Sequence, residues 1–424
     1  MRKQCIVHIG MHKTGSTTIQ NTLHDANIDN CQYLNLWSPN HSGFFVTVFS
    51  SNAYKYHGHT KLARTHDEID ILRDNFNARL ESEIRSCTKD KAIISGEDIS
   101  NIPEEDLVTL REYLKTHFRE VKIIGYVRPP VSFIQSAFQQ LVKDGLNYFN
   151  PDILVPSYRS KFEKFDRVFG ESNVRLVLYS RESLKDGDIV SDFCHQIGIP
   201  RIIREDISRN ESLSMEATAL LYLQRKYGSG YGNYKNSPRD NDVFITELSR
   251  IEGRKFSFGH NIVKRVMEQI KGDIDWISDR LSLDILEKDD KSNDGVDSED
   301  ELIDIAFNAR KKLIDILILE RATQNCDLEK LCDILDTFKK NISTPEAHLP
   351  LETVLFGGGH TSEIAKEIKS IESAVDVDIL RVLTERLLAV GEREAALIVI
   401  QCALKLRPNG PRLKEIYSTL VNPC

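Results

Sequence analysis

The feature that most constrains the fold stands at the N-terminus, in Cys5-Ile6-Val7-His8-Ile9-Gly10-Met11-His12-Lys13-Thr14-Gly15-Ser16-Thr17-Thr18. The apolar, β-branched run reads as a buried strand that ends in a glycine. A second glycine follows five residues later, and hydroxyl residues with Ile19 then open a helix. Strand, glycine-bounded loop and helix N-terminus in that order form a cradle for a phosphate-type anion. The glycines let the backbone come close, and the unpaired amides point at the charge. An ordinary nucleotide loop reads G-x-x-x-x-G-K-[ST], with its lysine directly after the second glycine. Here Ser16 holds that place, and the lysine sits inside the loop as Lys13.

A second landmark is Tyr126-Val127-Arg128-Pro129-Pro130-Val131-Ser132-Phe133-Ile134-Gln135-Ser136. A strand delivers Arg128 at its carboxyl end, and Ser136 follows eight residues on, in the next helix. A guanidinium fork with a hydroxyl donor suits a phosphate dianion. Alone, such a segment also reads as a surface arginine beside a proline helix start.

The loop His12-Lys13-Thr14-Gly15-Ser16-Thr17-Thr18 resembles the 5′-phosphosulfate-binding loop of sulfotransferases. Arg128 with Ser136 resembles the pair that holds the donor's 3′-phosphate in that family, in the same order along the chain. The resemblance spans about residues 1–290. It implies a P-loop-type parallel β-sheet flanked by helices, with 3′-phosphoadenosine 5′-phosphosulfate (PAPS) as donor and adenosine 3′,5′-bisphosphate as product. It gives Lys13 the developing charge of the leaving nucleotide, and residues 12–18 with Arg128 and Ser136 the donor. No metal is expected. The implied acceptor is a hydroxyl or amine of a glycan or glycolipid.

Removing the acceptor's proton needs a base within hydrogen-bond reach. Lys91-Ala92-Ile93-Ile94-Ser95-Gly96-Glu97-Asp98 reads as a buried strand ending in polar residues. Open parallel sheets place their sites at that carboxyl edge. Glu97 is therefore the expected base, with His57, His59 and Asp98 as rivals. Many cytosolic members carry a histidine there, and the carboxylate resembles carbohydrate-modifying members. Arg225-Lys226-Tyr227-Gly228 is loosely similar to a late Arg-Lys-Gly segment of the cytosolic members. Three other readings stay open. One is a lysine-bearing turn with no ligand. Another is a kinase or NTPase, which would want magnesium and a lysine at position 16. The third is a non-catalytic scaffold of the same fold.

Strands alternating with helical patterns up to about Ile197 imply right-handed crossovers and a parallel sheet covered on both faces. Residues 30–60 are rich in rings and histidines without clean periodicity, and read as an acceptor lining or the packed underside of a long loop. From Leu213 onward the pattern is helical. The expected division is a sulfotransferase-like domain over 1–288, an acidic linker over 289–301 and an all-helical extension over 302–424. Within the extension, Gly391, Ala396, Ala403 and Pro408 have the spacing of a tetratricopeptide-type hairpin at about 376–420, a possible surface for a protein partner.

A net charge of −8 argues against a general nucleic-acid binder. Eight cysteines without a C-x-x-C pair suggest neither a zinc site nor a disulfide framework, and read as reduced. No stretch approaches the ~18 apolar residues of a membrane span. With a core strand at the very start, these features lead to the expectation of a cytoplasmic protein; the resemblance adds that it is bacterial, because animal carbohydrate sulfotransferases usually carry a membrane anchor.

Overall fold

A computed structural model gives the fold and describes residues 4–24, 26–202, 212–234, 236–286, 295–317, 328–343, 381, 384, 388, 393–406 and 411–421. Its strands are β1 (Gln4–His8), β2 (Cys31–Tyr33), β3 (Lys91–Ser95), β4 (Glu120–Val127) and β5 (Val174–Leu178). They form one parallel sheet in the order β2-β3-β1-β4-β5. The central β1 sets Cys5, Ile6 and Val7 opposite Ala92, Ile93 and Ile94 on one side and opposite Val121, Lys122 and Ile123 on the other. A strand bonded on both edges and covered on both faces is mostly apolar, as Cys5, Ile6 and Val7 are, which is why this run was so legible.

The helices interleaved with the sheet are α1 (Ser16–His24), α2 (Ser42–Phe49), α3 (His57–Thr60), α4 (His66–Ser86), α5 (Glu104–His117), α6 (Pro130–Lys143), α7 (Tyr158–Phe169) and α8 (Ile189–Ile197). Side chains alternate across β1. Cys5, Val7 and Ile9 enter a core with Leu107, Leu110 and Leu114 of α5 and Phe162, Phe165 and Phe169 of α7. Ile6 enters the opposite core, with Ile19 and Leu23 of α1 and Val190 and Phe193 of α8. The result is an α/β, P-loop-type sheet flanked by helices.

The aromatic stretch 30–60 is more ordered than its sequence shows. It holds the short edge strand β2, and α2, whose Phe44, Phe45 and Val46 are buried. A helix buried nearly all round has no polar face, so no amphipathic period marks it. Phe44 stacks on Phe76 of α4 with ring centroids 4.5 Å apart, so much of this stretch is core.

Among the described residues no strand follows β5, and the later helices are α9 (Met215–Tyr227), α10 (Ser237–Leu248), α11 (His260–Gln269), α12 (Lys271–Leu281), α13 (Glu299–Leu317), α14 (Leu328–Ser343), α15 (Arg393–Leu406) and α16 (Pro411–Val421). The chain packs as two compact units. One comprises Met1–Phe138, Asn150–Asn210 and Phe258–Asp297; the other comprises Gln139–Phe149, Glu211–Ser257 and Ser298–Cys424. In the second unit, Tyr222 and Lys226 of α9 both donate to Glu299 of α13. Asp336 of α14 accepts from the Ser229 amide at 2.6 Å.

Of the acidic stretch 289–301, residues 289–294 lie outside the described residues. Beyond them, Asp297 caps α11 by accepting from the Ile262 amide at 3.0 Å. In the C-terminal hairpin, α15 and α16 pack through Ala396, Val399, Ile400 and Ala403 against Leu413, Ile416 and Leu420. Gly391 and Pro408 lie outside the described residues. No helix among the described residues is long and apolar enough to cross a membrane.

Candidate active site

The carboxyl ends of β1, β3 and β4 bring the two landmarks and Glu97 to one edge of the sheet. The chain leaves β1 toward β2 on one side, and leaves β4 toward β5 on the other. A crevice outside the strand ends forms where neighbouring connections diverge in this way.

The ladder between β1 and β4 runs on into the loop. Ile9 N–H donates to Ile124 O at 2.9 Å, and Met11 N–H donates to Tyr126 O at 3.0 Å. The loop then turns sharply, with Gly10, Lys13 and Gly15 at φ +79°, +66° and +77°. A non-glycine residue in this left-handed region costs on the order of 1 kcal/mol, so Lys13 is held there by its surroundings. Thr14 Oγ1 braces the turn by donating to Met11 O at 2.6 Å. Gly15 O accepts from the Thr18 and Ile19 amides and starts α1.

Space forbids a side chain at Gly10 and is tight at Gly15, besides the demand of φ. A Cβ on Gly10 would lie 2.7 Å from Glu97 Cβ, and one on Gly15 would lie 3.1 Å from Ile189 Cγ2. Within the cradle, Ser16 is buried and its Oγ finds no hydrogen-bond partner among the described residues. Thr17 is exposed and Thr18 half-buried.

Arg128 leaves β4 directly into this loop. Its Nη1 donates to Lys13 O at 2.5 Å, and its Nε donates to Ser132 Oγ at 3.3 Å. The Tyr179 ring lies 5.8 Å from the guanidinium carbon, and Tyr158 Oη donates to Arg128 O at 2.6 Å. Ser136 is half-buried, one turn beyond Ser132 on the same helix. Ser132, Tyr158 and Tyr179 were not singled out from sequence. Ser132 follows Arg128 by four residues, a spacing that could have marked it.

Glu97 and Asp98 open the turn after β3. Gln20 Nε2 donates to Glu97 Oε2 at 3.0 Å, and Asn40 Nδ2 lies 3.5 Å from Oε1. The His12 ring sets Nε2 2.9 Å from Asp98 Oδ1 and Nδ1 3.9 Å from Glu97 Oε1. Tyr56 Oη donates to Asp98 Oδ2 at 3.0 Å, and Asn101 Nδ2 donates to Oδ1 at 2.9 Å.

Burial alone would raise the Asp98 carboxyl. Hydrogen bonds from His12 and Tyr56, with the nearby His57, outweigh it and hold Asp98 below the usual carboxylate range. Burial and the adjacent Asp98 push the Tyr56 phenol up. Gln20 was overlooked in the sequence. Its signal is a polar residue within the buried stripe of α1, beside Ile19 and Leu23.

The other histidines differ in setting. His59 is buried, with Nε2 2.9 Å from Thr47 Oγ1 and Nδ1 3.0 Å from Arg64 Nη1. Burial, with Arg64 and Arg73 nearby, lowers its pKa. His57 is exposed at the start of α3. The Arg225 segment belongs to the second unit, where Arg225 is buried and donates to Val142 O at 3.1 Å.

No family model matches the chain. An uncharacterized protein of Archaeoglobus fulgidus is 26% identical over 133 residues, which is 30% of this chain. The match spans about a third (36%) of that relative's length. Among solved structures, a sulfotransferase from Alicyclobacillus acidocaldarius is similar at 14% identity and a TM-score of 0.33, covering 64% of this chain and 96% of that one. At that score the likeness carries no weight for function, which must be argued from the site's own residues.

Proposed function

We propose that this chain is a sulfotransferase that takes PAPS as donor and a hydroxyl or amine of a glycan or glycolipid as acceptor. One observation carries the reading. A glycine cradle holding Lys13 and a buried Ser16 hydroxyl, unpartnered among the described residues, is met by Arg128, delivered from the neighbouring strand. An uncompensated buried hydroxyl costs about 1–3 kcal/mol, and a bound anion would relieve that cost. The bracing of the turn by Thr14 fits a preformed anion cradle.

PAPS would supply an activated sulfuryl group. Residues 12–18 and the first amides of α1, which have no partner within the helix, would hold its phosphosulfate end. Lys13 would balance the charge that develops as the nucleotide leaves. Arg128, with Ser132 and Ser136 on one face of α6, would hold the 3′-phosphate through charge-assisted hydrogen bonds. Glu97 would take the acceptor's proton from the edge of β3, oriented by Gln20. Asp98 already accepts from His12, Tyr56 and Asn101, which favours Glu97 as the base.

The test is release of adenosine 3′,5′-bisphosphate from PAPS in the presence of a panel of glycan acceptors. Release that is abolished by Lys13→Ala and strongly reduced by Glu97→Gln is the expected result. Release untouched by Lys13→Ala would refute the assignment of the loop.

A further inference from the structure

Two adjacent carboxylates share one imidazole. His12 presents Nε2 to Asp98 and Nδ1 to Glu97, and its side chain is 40% exposed, against 15% for Glu97 and 8% for Asp98. Asp98 is fixed from several directions. Besides its bonds to Tyr56 and Asn101, its amide donates to Ser42 Oγ at 3.1 Å. Lys161 of α7 donates at 3.4 Å to Oδ1 of Asn101, and His57 of α3 favours the charged form of Asp98.

An ionised carboxylate can only accept, so the hydrogen of a neutral His12 sits on Nε2. Its lone pair is then on Nδ1, facing Glu97. Glu97 is braced on its other oxygen by Gln20 Nε2. A covered carboxylate that collects a proton in each turnover must lose it before the next. The exposed imidazole lies between that carboxylate and water.

We infer that His12, oriented by Asp98, relays to solvent the proton that Glu97 removes from the acceptor. The inference rests on the sulfotransferase reading. In the transfer step, the acceptor oxygen bonds to sulfur. The bond from sulfur to the bridging phosphate oxygen breaks, its electron pair staying with the nucleotide, and the acceptor's proton moves to Glu97. It then passes to His12 Nδ1, 3.9 Å from Glu97 Oε1, across a gap that a small ring rotation closes. The imidazolium so formed lies against the Asp98 carboxylate, and when the half-exposed ring turns Nδ1 from Glu97 toward solvent it gives that proton to bulk water. Glu97 and His12 end as they began. Asp98 is a positioning residue, and its effect is exerted through His12.

The test uses the full chain labelled with 15N-histidine, the His12 signals being identified by their loss in His12→Gln. The wild type should carry its neutral-form proton on Nε2. Glu97→Gln should move the Nδ1 resonance while Nε2 stays, and Asp98→Asn should mix the two tautomers. In a second arm, bisphosphate release from PAPS with water as acceptor should fall about tenfold in kcat for Asp98→Asn, with KM for PAPS nearly unchanged.

A wild-type proton on Nδ1, an Nδ1 signal blind to Glu97→Gln, or an undiminished kcat in Asp98→Asn would overturn the relay. The NMR arm contains no nucleotide, so it reads the shared imidazole independently of the donor. If the tautomer result holds but the wild type neither releases nor binds the bisphosphate, the sulfotransferase reading fails and the proton route fails with it.

Discussion

Arg128 Nη1 donates to the backbone carbonyl of Lys13 at 2.5 Å, joining two segments 115 residues apart in the chain. The contact follows from the register. β4 lies directly beside β1, so the residue that follows β4 meets the loop that follows β1. It holds the guanidinium beside the one lysine of the cradle, and each prediction about the donor follows from that adjacency.

Removing the Arg128 guanidinium should weaken binding of adenosine 3′,5′-bisphosphate by about 10–100-fold, the worth of a charge-assisted hydrogen bond. Arg128→Lys should recover little, because one ammonium cannot reach the Lys13 carbonyl, Ser132 and a phosphate together. Isothermal titration of the wild type, Arg128→Ala and Arg128→Lys measures this. A lysine variant that binds like the wild type would contradict the fork.

Ser16→Ala separates stability from function. The hydroxyl is buried and unpartnered among the described residues, so its removal should leave Tm unchanged or raise it, the relieved desolvation being worth up to about 1–3 kcal/mol. Bisphosphate affinity should fall in the same variant. A lower Tm with unchanged affinity would mean that the hydroxyl serves the fold.

The loop, the strand ends and Arg128 were legible because short-range rules govern them. Doubly covered strands are apolar runs, and a tight anion loop needs glycine at left-handed positions. The rest depends on contacts that no local pattern records. The core helix α2 has no polar face, and the three-residue β2 is defined only by its pairing with β3. The clasp of His12 on Asp98 and of Gln20 on Glu97 joins the first loop and helix to the end of β3, which lie side by side only because β3 neighbours β1.

Acid should destabilise the protein through His8 and His41. Both are buried, and burial lowers each to about 3. Unfolded histidine titrates near 6.5. Each ring is therefore neutral when folded and takes up a proton on unfolding below that pH. The stability it permits is full above about pH 6.5 and declines as pH falls toward 3. His8 also holds Ser95 Oγ at 2.7 Å through Nδ1, a position that an asparagine amide can imitate. The His8→Asn/His41→Asn double variant should lose less Tm than the wild type between pH 7 and pH 5. Parallel curves would contradict the assignment.

Helix α9 depends on the helices that follow residue 298. Met215, Leu220, Leu221, Tyr222 and Leu223 are all buried within the second unit, and Glu299 accepts from both Tyr222 and Lys226. A chain ending at residue 297 should lose cooperative unfolding of that unit and expose apolar surface to a hydrophobic dye. Glu299→Ala should cost about 1–3 kcal/mol, read by urea unfolding. A truncated chain that melts like the full one would show that α13 is accessory.

The most direct measurement of the central claim is a thermal-shift titration of the full chain with adenosine 3′,5′-bisphosphate, beside ADP with magnesium. At 100 times its dissociation constant, a ligand stabilises the native state by about 2.7 kcal/mol. At ~2–4 °C per kcal/mol this is a rise of several degrees. A rise with the bisphosphate that falls to about half or less in Arg128→Ala is the predicted result. A rise only with ADP and magnesium, or none with either, would contradict it.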